Sequence, residues 1–138
     1  MTKQIKKYSE KEYKEHGDIL YEIGKQDAFK SILKTEVSWS VKMSNENWDL
    51  DTIVVGDGSL KNIRFIKTVL SDEQNSDGSF KREIVESVAK DGTVKEVWLA
   101  ADRAYKEAVK LYGDWHYFLE SVVLKGREEK VICTFYGS

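Results

Sequence analysis

The most constraining feature of the sequence is a stripe of apolar residues at helical spacing that ends at a glycine. Across 101–112, apolar side chains recur at i, i+3, i+4, i+7, i+8 and i+11, whereas Lys106, Glu107 and Lys110 lie off the stripe. One apolar face at a period of 3.6 residues is typical of a helix packed on a core. Gly113 stands where a helix commonly ends in the left-handed conformation. The pattern therefore predicts one amphipathic helix over about 101–112.

Most of the remaining chain reads as strands separated by polar turns. Apolar residues alternate with polar ones or form short runs, as expected of strands with one or both faces buried. Proline is absent, so the turns depend on Gly, Asp, Asn and Ser, and Asp91-Gly92 is a strong hairpin signal. The predicted strands are 37–43, 48–55, 60–70, 80–89, 93–99, 115–124 and 130–136.

The predicted fold class is α+β. Residues 9–34 read as two short helices, or as one helix kinked near Gly24, because glycines interrupt the apolar pattern. Strands joined by short turns are antiparallel. We therefore expect an antiparallel meander or curled half-barrel of about seven strands, with the N-terminal helices and the 101–112 helix packed on it. Residues 1–138 should form a single domain.

Charge and composition exclude several classes of protein. The net charge is −2 and Lys and Glu are mixed along the chain, so a nucleic-acid partner is not expected. No apolar run approaches the ~20 residues that span a bilayer, and the N-terminus lacks the apolar core of a signal peptide. Cys133 is the single cysteine and should be a buried structural thiol in a reducing compartment. These features predict a cytoplasmic protein without membrane contact.

Three apparent ligand motifs fail on spacing. The run 56–59 is glycine-rich, but it lacks the P-loop lysine and precedes a predicted strand rather than a helix. In the acidic run 72–83, no register places both its glycine and its glutamate as a calcium loop requires. The two histidines, His16 and His116, are not spaced as a zinc-binding pair. No catalytic residue, metal site or cofactor is predicted.

A histidine between carboxylates marks a candidate pocket mouth. His116 follows Asp114 by two residues and precedes Glu120 by four, so on strand parity the three share a face. Such a histidine can serve as an acid–base group, although a satisfied polar residue at a strand end is the more ordinary reading. Tyr117 would line the same mouth, and Arg64 is a candidate partner for an anion.

A tryptophan in an acidic stretch marks a candidate protein-binding patch. Trp48 lies beside a predicted turn and is flanked by Glu46, Asp49 and Asp51. An exposed tryptophan can be the energetic centre of a protein interface. The alternative is a tryptophan that points inward at the start of a strand.

Three functions are compatible with these sequence features. The leading hypothesis is a non-enzymatic binding protein that acts by protein–protein contact, alone or as a homo-oligomer. In composition and size the chain resembles small accessory proteins of bacteria and phages, such as immunity proteins and inhibitors. The alternative is a half-barrel that binds a small molecule, nucleotide-like or apolar, with or without catalysis. The third is a structural subunit of a phage or other assembly, with sheet edges paired between copies.

Overall fold

The computed structural model describes residues 24–39 and 49–137, which form two helices and a sheet. The first helix, α1, is described over 24–33. The predicted helix start near residue 9, the end of the 37–43 strand, and His16, Glu46 and Trp48 lie outside the described residues. The remaining elements are β1 (Ser38–Trp39), β2 (Lys61–Gln74), β3 (Phe80–Asp91), α2 (Val94–Tyr112), β4 (Phe118–Lys125) and β5 (Val131–Gly137).

Helix α2 begins seven residues before the predicted start, so the strand predicted over 93–99 is wrong. Thr93 is the N-cap residue, and its Oγ1 accepts a hydrogen bond from the Glu96 backbone N–H at 3.2 Å. Val94, Val97 and Trp98 are fully buried and continue the helical stripe toward the N-terminus. The predicted end is confirmed, because Gly113 adopts φ 65° as the C-terminal cap.

The predicted turn at Asp91-Gly92 is instead the connection from β3 to α2. The Gly92 carbonyl accepts hydrogen bonds from the backbone N–H groups of Val54 and Val55. A Cβ at Gly92 would stand 1.9 Å from the Val55 carbonyl oxygen, so only glycine allows this approach. The strand predicted over 48–55 is likewise absent from its described part, where one isolated bridge joins Ile53 to Thr93.

Two hairpins predicted from the sequence are present. β2 and β3 pair antiparallel from Lys61↔Asp91 to Gln74↔Phe80. Because β2 extends to Gln74, the connection to β3 is a tight turn rather than the long loop expected after residue 70. β4 and β5 also pair antiparallel. β4 starts at Phe118 rather than at residue 115.

The sheet is mixed, which corrects the predicted antiparallel meander of about seven strands. In the described ranges five strands follow the order β1-β4-β5-β2-β3. β1 runs parallel to β4, and β2 runs parallel to β5. The order leaves the sheet open, since its first and last strands, β1 and β3, are not neighbours. Local patterns did not reveal the parallel pairs because each joins segments that are distant in the chain.

The core lies between α2 and one face of the sheet. Trp98 meets Trp39 edge-on, with ring centroids 6.0 Å apart. Its Nε1–H donates to the Val37 carbonyl at 2.8 Å. The Oδ1 atom of Asp102 accepts hydrogen bonds from the backbone N–H groups of Glu36 and Val37. α2 is thereby joined to the segment before β1 as well as to the sheet.

The opposite face of the sheet is exposed and partly apolar. Cys133 is exposed there, which corrects the expectation of a buried thiol. The strand β4 was expected to have both faces buried, yet Val123 on this face is 61% exposed. Ile84 and Val88 of β3 are also exposed.

Candidate functional site

The sheet divides into two arms beyond its central parallel pair. β2 and β5 pair over Arg64–Ile66 and Val131–Cys133. Beyond these residues β2 remains paired with β3, whereas β5 remains paired with β4. The two pairs of strands therefore separate. The gap between 67–70 of β2 and 134–136 of β5 is called the fork below. At its base, Thr134 Oγ1 donates a hydrogen bond to the Ile66 carbonyl at 2.8 Å, where a side chain replaces the backbone pairing.

A lysine is buried at the fork. Lys67 occupies an inward position of β2 between Phe65 and Val69, and its side chain is 1% exposed. Its Nζ lies 2.8 Å from Asp114 Oδ2 and 3.5 Å from the centroid of the Tyr136 ring. The ammonium group therefore has an ion pair and a cation–π contact in place of water.

The end of α2 positions the carboxylate. The backbone N–H of Gly113 donates to the Val109 carbonyl, as in the αL C-cap motif, and that of Asp114 donates to the Ala108 carbonyl at 3.3 Å. This cap turns the chain toward β2 directly after the helix. The Asp114 side chain is 6% exposed, so the carboxylate is buried with its lysine partner.

Asp114 also holds His116. Asp114 Oδ1 lies 2.6 Å from His116 Nδ1 and accepts the His116 backbone N–H at 3.3 Å. The Trp115 ring stacks on the imidazole at 4.2 Å between centroids. A carboxylate at Nδ1 favours the tautomer with the proton on that nitrogen, which leaves Nε2 as an acceptor. The imidazole is 38% exposed, so Nε2 can form a hydrogen bond with a ligand.

Burial and hydrogen bonding change the pKa values of Lys67, Asp114 and Tyr136. Burial lowers the pKa of Lys67 below 10.5, and the contacts with Asp114 only partly oppose this. Burial alone would raise the pKa of Asp114, but hydrogen bonds from Lys67 and His116 outweigh it and the pKa lies below 3.8. Burial raises the pKa of Tyr136 well above 10. Its hydroxyl donates to the Ala101 carbonyl at 2.9 Å.

These residues border a cleft of about 380 Å³, called the fork cleft below. The volume lies near the lower end of the range for small-molecule sites, about 300–1,000 Å³. The cleft has both polar and apolar walls. Its lining residues are Lys67, Thr68, Val69, Leu70, Arg82, Asp114, His116, Thr134, Phe135 and Tyr136.

The structure gathers part of the predicted pocket mouth. Asp114 and His116 both line the fork cleft, whereas Tyr117 and Glu120 do not. Tyr117 is 45% exposed. The Glu120 carboxylate packs closely on Gly137, where an added Cβ would stand 2.3 Å from Glu120 Oε1. Arg64 pairs with Glu86 on the exposed sheet face, away from the cleft.

Sequence reasoning missed Lys67 and Arg82. A signal for Lys67 was present, because it interrupts the inward apolar series of Ile63, Phe65 and Val69. A lysine at such a position is rarely fully buried without a partner. Arg82 had no comparable signal, because its proximity to the cleft depends on the pairing of β3 with β2 at Leu70.

The predicted protein-binding patch is described only in part. Asp49 and Asp51 are exposed and belong to a local turn. The Asp51 backbone N–H donates to Asp49 Oδ1 at 3.0 Å, and the Asp49 N–H donates to Thr52 Oγ1 at 2.9 Å. Both aspartates therefore belong to a local turn that these hydrogen bonds hold together.

Comparison with protein-family models, curated proteins and solved structures yields no match. Across 24–39 and 49–137, no group of three or more His, Cys, Asp or Glu side chains is placed to hold a metal ion. Neither described helix has the length and apolar character needed to cross a membrane.

Proposed function

We propose that this protein binds a small molecule in the fork cleft. The observation that carries the proposal is the buried pair of Lys67 and Asp114, whose carboxylate also fixes His116 at the cleft wall. A buried ion pair is seldom more stable than apolar residues of similar volume, so core stability does not explain its presence. Ionisable groups with perturbed pKa values beside a cleft are typical of functional sites.

The cleft supports ligand binding better than the described part of the acidic patch supports a protein interface. His116 Nε2 offers a hydrogen-bonding group, and Phe135 and Leu70 offer apolar contact area. Pockets that combine apolar walls with a few placed polar groups are the usual form of small-molecule sites. In the described part of the acidic patch, the Asp49 carboxylate already accepts a hydrogen bond from the Asp51 backbone N–H within a local turn.

The first test is native mass spectrometry of the protein purified from cells, followed by a thermal-shift screen of small metabolites. A ligand at a hundred times its Kd stabilises the folded state by about 2.7 kcal/mol. For a chain of this length, that raises Tm by roughly 10 °C.

A matched pair of variants then locates the site. Phe135 and Val123 are exposed to 63% and 61%, on neighbouring strands, but only Phe135 lines the cleft. We expect Phe135→Ser to abolish the ligand-induced Tm shift and Val123→Ser to preserve it. Equal shifts in both variants would place the ligand elsewhere and contradict the proposal.

A further inference from the structure

The arginine at the rim of the fork cleft differs from the other arginines of the described ranges. Arg64 pairs with Glu86, Arg127 pairs with Asp57, and Arg103 donates to the Val88 carbonyl. No described side chain forms a hydrogen bond or an ion pair with Arg82. It is opposite Leu70, at the last antiparallel pair before the ladder becomes irregular.

Among the described side chains that line the cleft, one positive charge has no compensating partner. Lys67 is neutralised by Asp114 at 2.8 Å, and that carboxylate is further occupied by His116. Arg82 is therefore the unpaired cation among the described residues of the cleft wall. A guanidinium group suits a planar carboxylate, since it can donate two parallel hydrogen bonds. One uncompensated charge matches a monoanion better than a phosphate dianion.

The surface beside Arg82 is apolar. Leu70 and Phe135 line the cleft and are 60% and 63% exposed. Large apolar side chains that remain exposed beside an unpaired cation fit a ligand with an apolar body and one charged end. His116 is available to hydrogen-bond a polar group of the same ligand.

We propose that the fork cleft takes a small organic acid, with its carboxylate on Arg82 and its apolar body against Leu70 and Phe135. This inference rests on the proposed function and names the class of ligand for the same site. It assigns Arg82, rather than the buried Lys67, as the residue that selects for negative charge.

Three probes separate the contributions of charge and apolar body: 3-phenylpropionate, its neutral amide 3-phenylpropionamide, and propionate. Binding to the full chain is followed by changes in backbone ¹H–¹⁵N resonances during titration. We expect 3-phenylpropionate to shift resonances of 67–70 and 134–136. The amide should bind about tenfold more weakly or worse, because it loses the charge-assisted hydrogen bonds. Propionate should also bind at least about tenfold more weakly, because it lacks the apolar body.

Two variants complete the test. Arg82→Gln should reduce the affinity for 3-phenylpropionate to that for the amide, whereas Lys81→Gln, with the same change of charge one residue away, should leave it unchanged. Lys81 pairs with Glu73 and does not line the cleft. Equal affinity for acid and amide, or equal loss in both variants, would overturn the organic-acid assignment.

The remaining outcomes separate this inference from the broader proposal. If none of the three probes binds but another metabolite shifts the fork resonances, the organic-acid assignment fails and the small-molecule site stands. If 3-phenylpropionate shifts resonances only outside the fork, and no metabolite of the screen shifts those of the fork, both fail.

Discussion

Lys67 and Asp114 show at the scale of single residues how a buried charge is tolerated. Each charge offsets the desolvation free energy of the other. The Tyr136 ring contacts the Lys67 ammonium group, and His116 contacts the Asp114 carboxylate. Removing one member of such a pair is far more damaging than replacing both, because a single change leaves an uncompensated charge in the core.

A double-mutant cycle measures this coupling. We expect Asp114→Asn to lower the free energy of unfolding by about 3 kcal/mol, because Lys67 loses its counter-ion. The double variant Lys67→Met/Asp114→Asn should be more stable than Asp114→Asn alone. Urea unfolding at neutral pH of wild type, Asp114→Asn, Lys67→Met and the double variant gives the coupling free energy. Arg127→Gln is the control, because its ion pair with Asp57 is exposed to solvent and surface ion pairs contribute little to stability. Strictly additive effects would contradict the coupling.

The same carboxylate predicts a change in acid stability. The pKa of folded Asp114 lies below 3.8, so its stabilising contribution is complete above that value and is lost as the pH falls through the folded-state pKa. We expect Asp114→Asn to lose less unfolding free energy than wild type between about pH 6 and about pH 2.5. Some acid dependence should remain, because the pKa values of Asp77 and Asp91 are also lowered. Parallel stability curves would refute the assignment.

At the scale of elements, the C-terminal cap of α2 links helix geometry to the site. Gly113 has φ 65° and directly precedes Asp114, so the same turn that ends the helix aims the carboxylate at Lys67. Nothing lies within 4 Å of a Cβ built at Gly113. Any cost of substitution there comes from the backbone conformation rather than from a clash.

Two substitutions at Gly113 separate these effects. We expect Gly113→Ala to lower the free energy of unfolding by about 1 kcal/mol, because alanine disfavours positive φ. Gly113→Asn should cost clearly less, since asparagine tolerates the left-handed region. Thermal or urea unfolding measures the difference, and an alanine variant as stable as the asparagine variant would contradict this account.

The N-terminal half of the same helix shows why one prediction failed. Apolar residues in 93–99 suit either a strand or a buried helix over so short a window. Thr93 and Glu96 have the spacing of a capping box, and that signal favoured the helix. At the other elements, turn residues and alternation were sufficient to predict the β2–β3 and β4–β5 hairpins.

At the scale of the whole molecule, α2 connects parts of the chain that are distant in sequence. Trp98 donates to the Val37 carbonyl, and Asp102 accepts two backbone N–H groups before β1. Tyr136 of β5 donates to the Ala101 carbonyl. The helix thus satisfies buried polar groups on both the N-terminal segment and the last strand.

Replacing the tryptophan tests this connection. We expect Trp98→Phe to lower the free energy of unfolding by about 2 kcal/mol or more, because the buried Val37 carbonyl loses its donor and the core loses volume. Trp115→Phe is the matched control. Trp115 is 63% exposed, so its change should stay within about 0.5 kcal/mol. Similar losses in both variants, measured by urea unfolding, would show that the Trp98 hydrogen bond is not important.

Features that depend on residues close together in the chain can be predicted without a structure. These are the α+β class, the end of α2 at Gly113, the two hairpins and the closeness of Asp114 to His116. Periodicity and turn chemistry act over a few residues, so they can be read without a structure.

The parallel pairs of β1 with β4 and of β2 with β5, and the fork, are apparent from the three-dimensional structure alone. Parallel pairing is made by backbone groups, which every residue carries, and it joins Arg64 to Val131 without a local signature. Burial of Lys67 beside Asp114 follows from that arrangement, and so does the approach of Arg82 to the same cleft. The candidate site is therefore a product of strand order, which local sequence patterns do not specify.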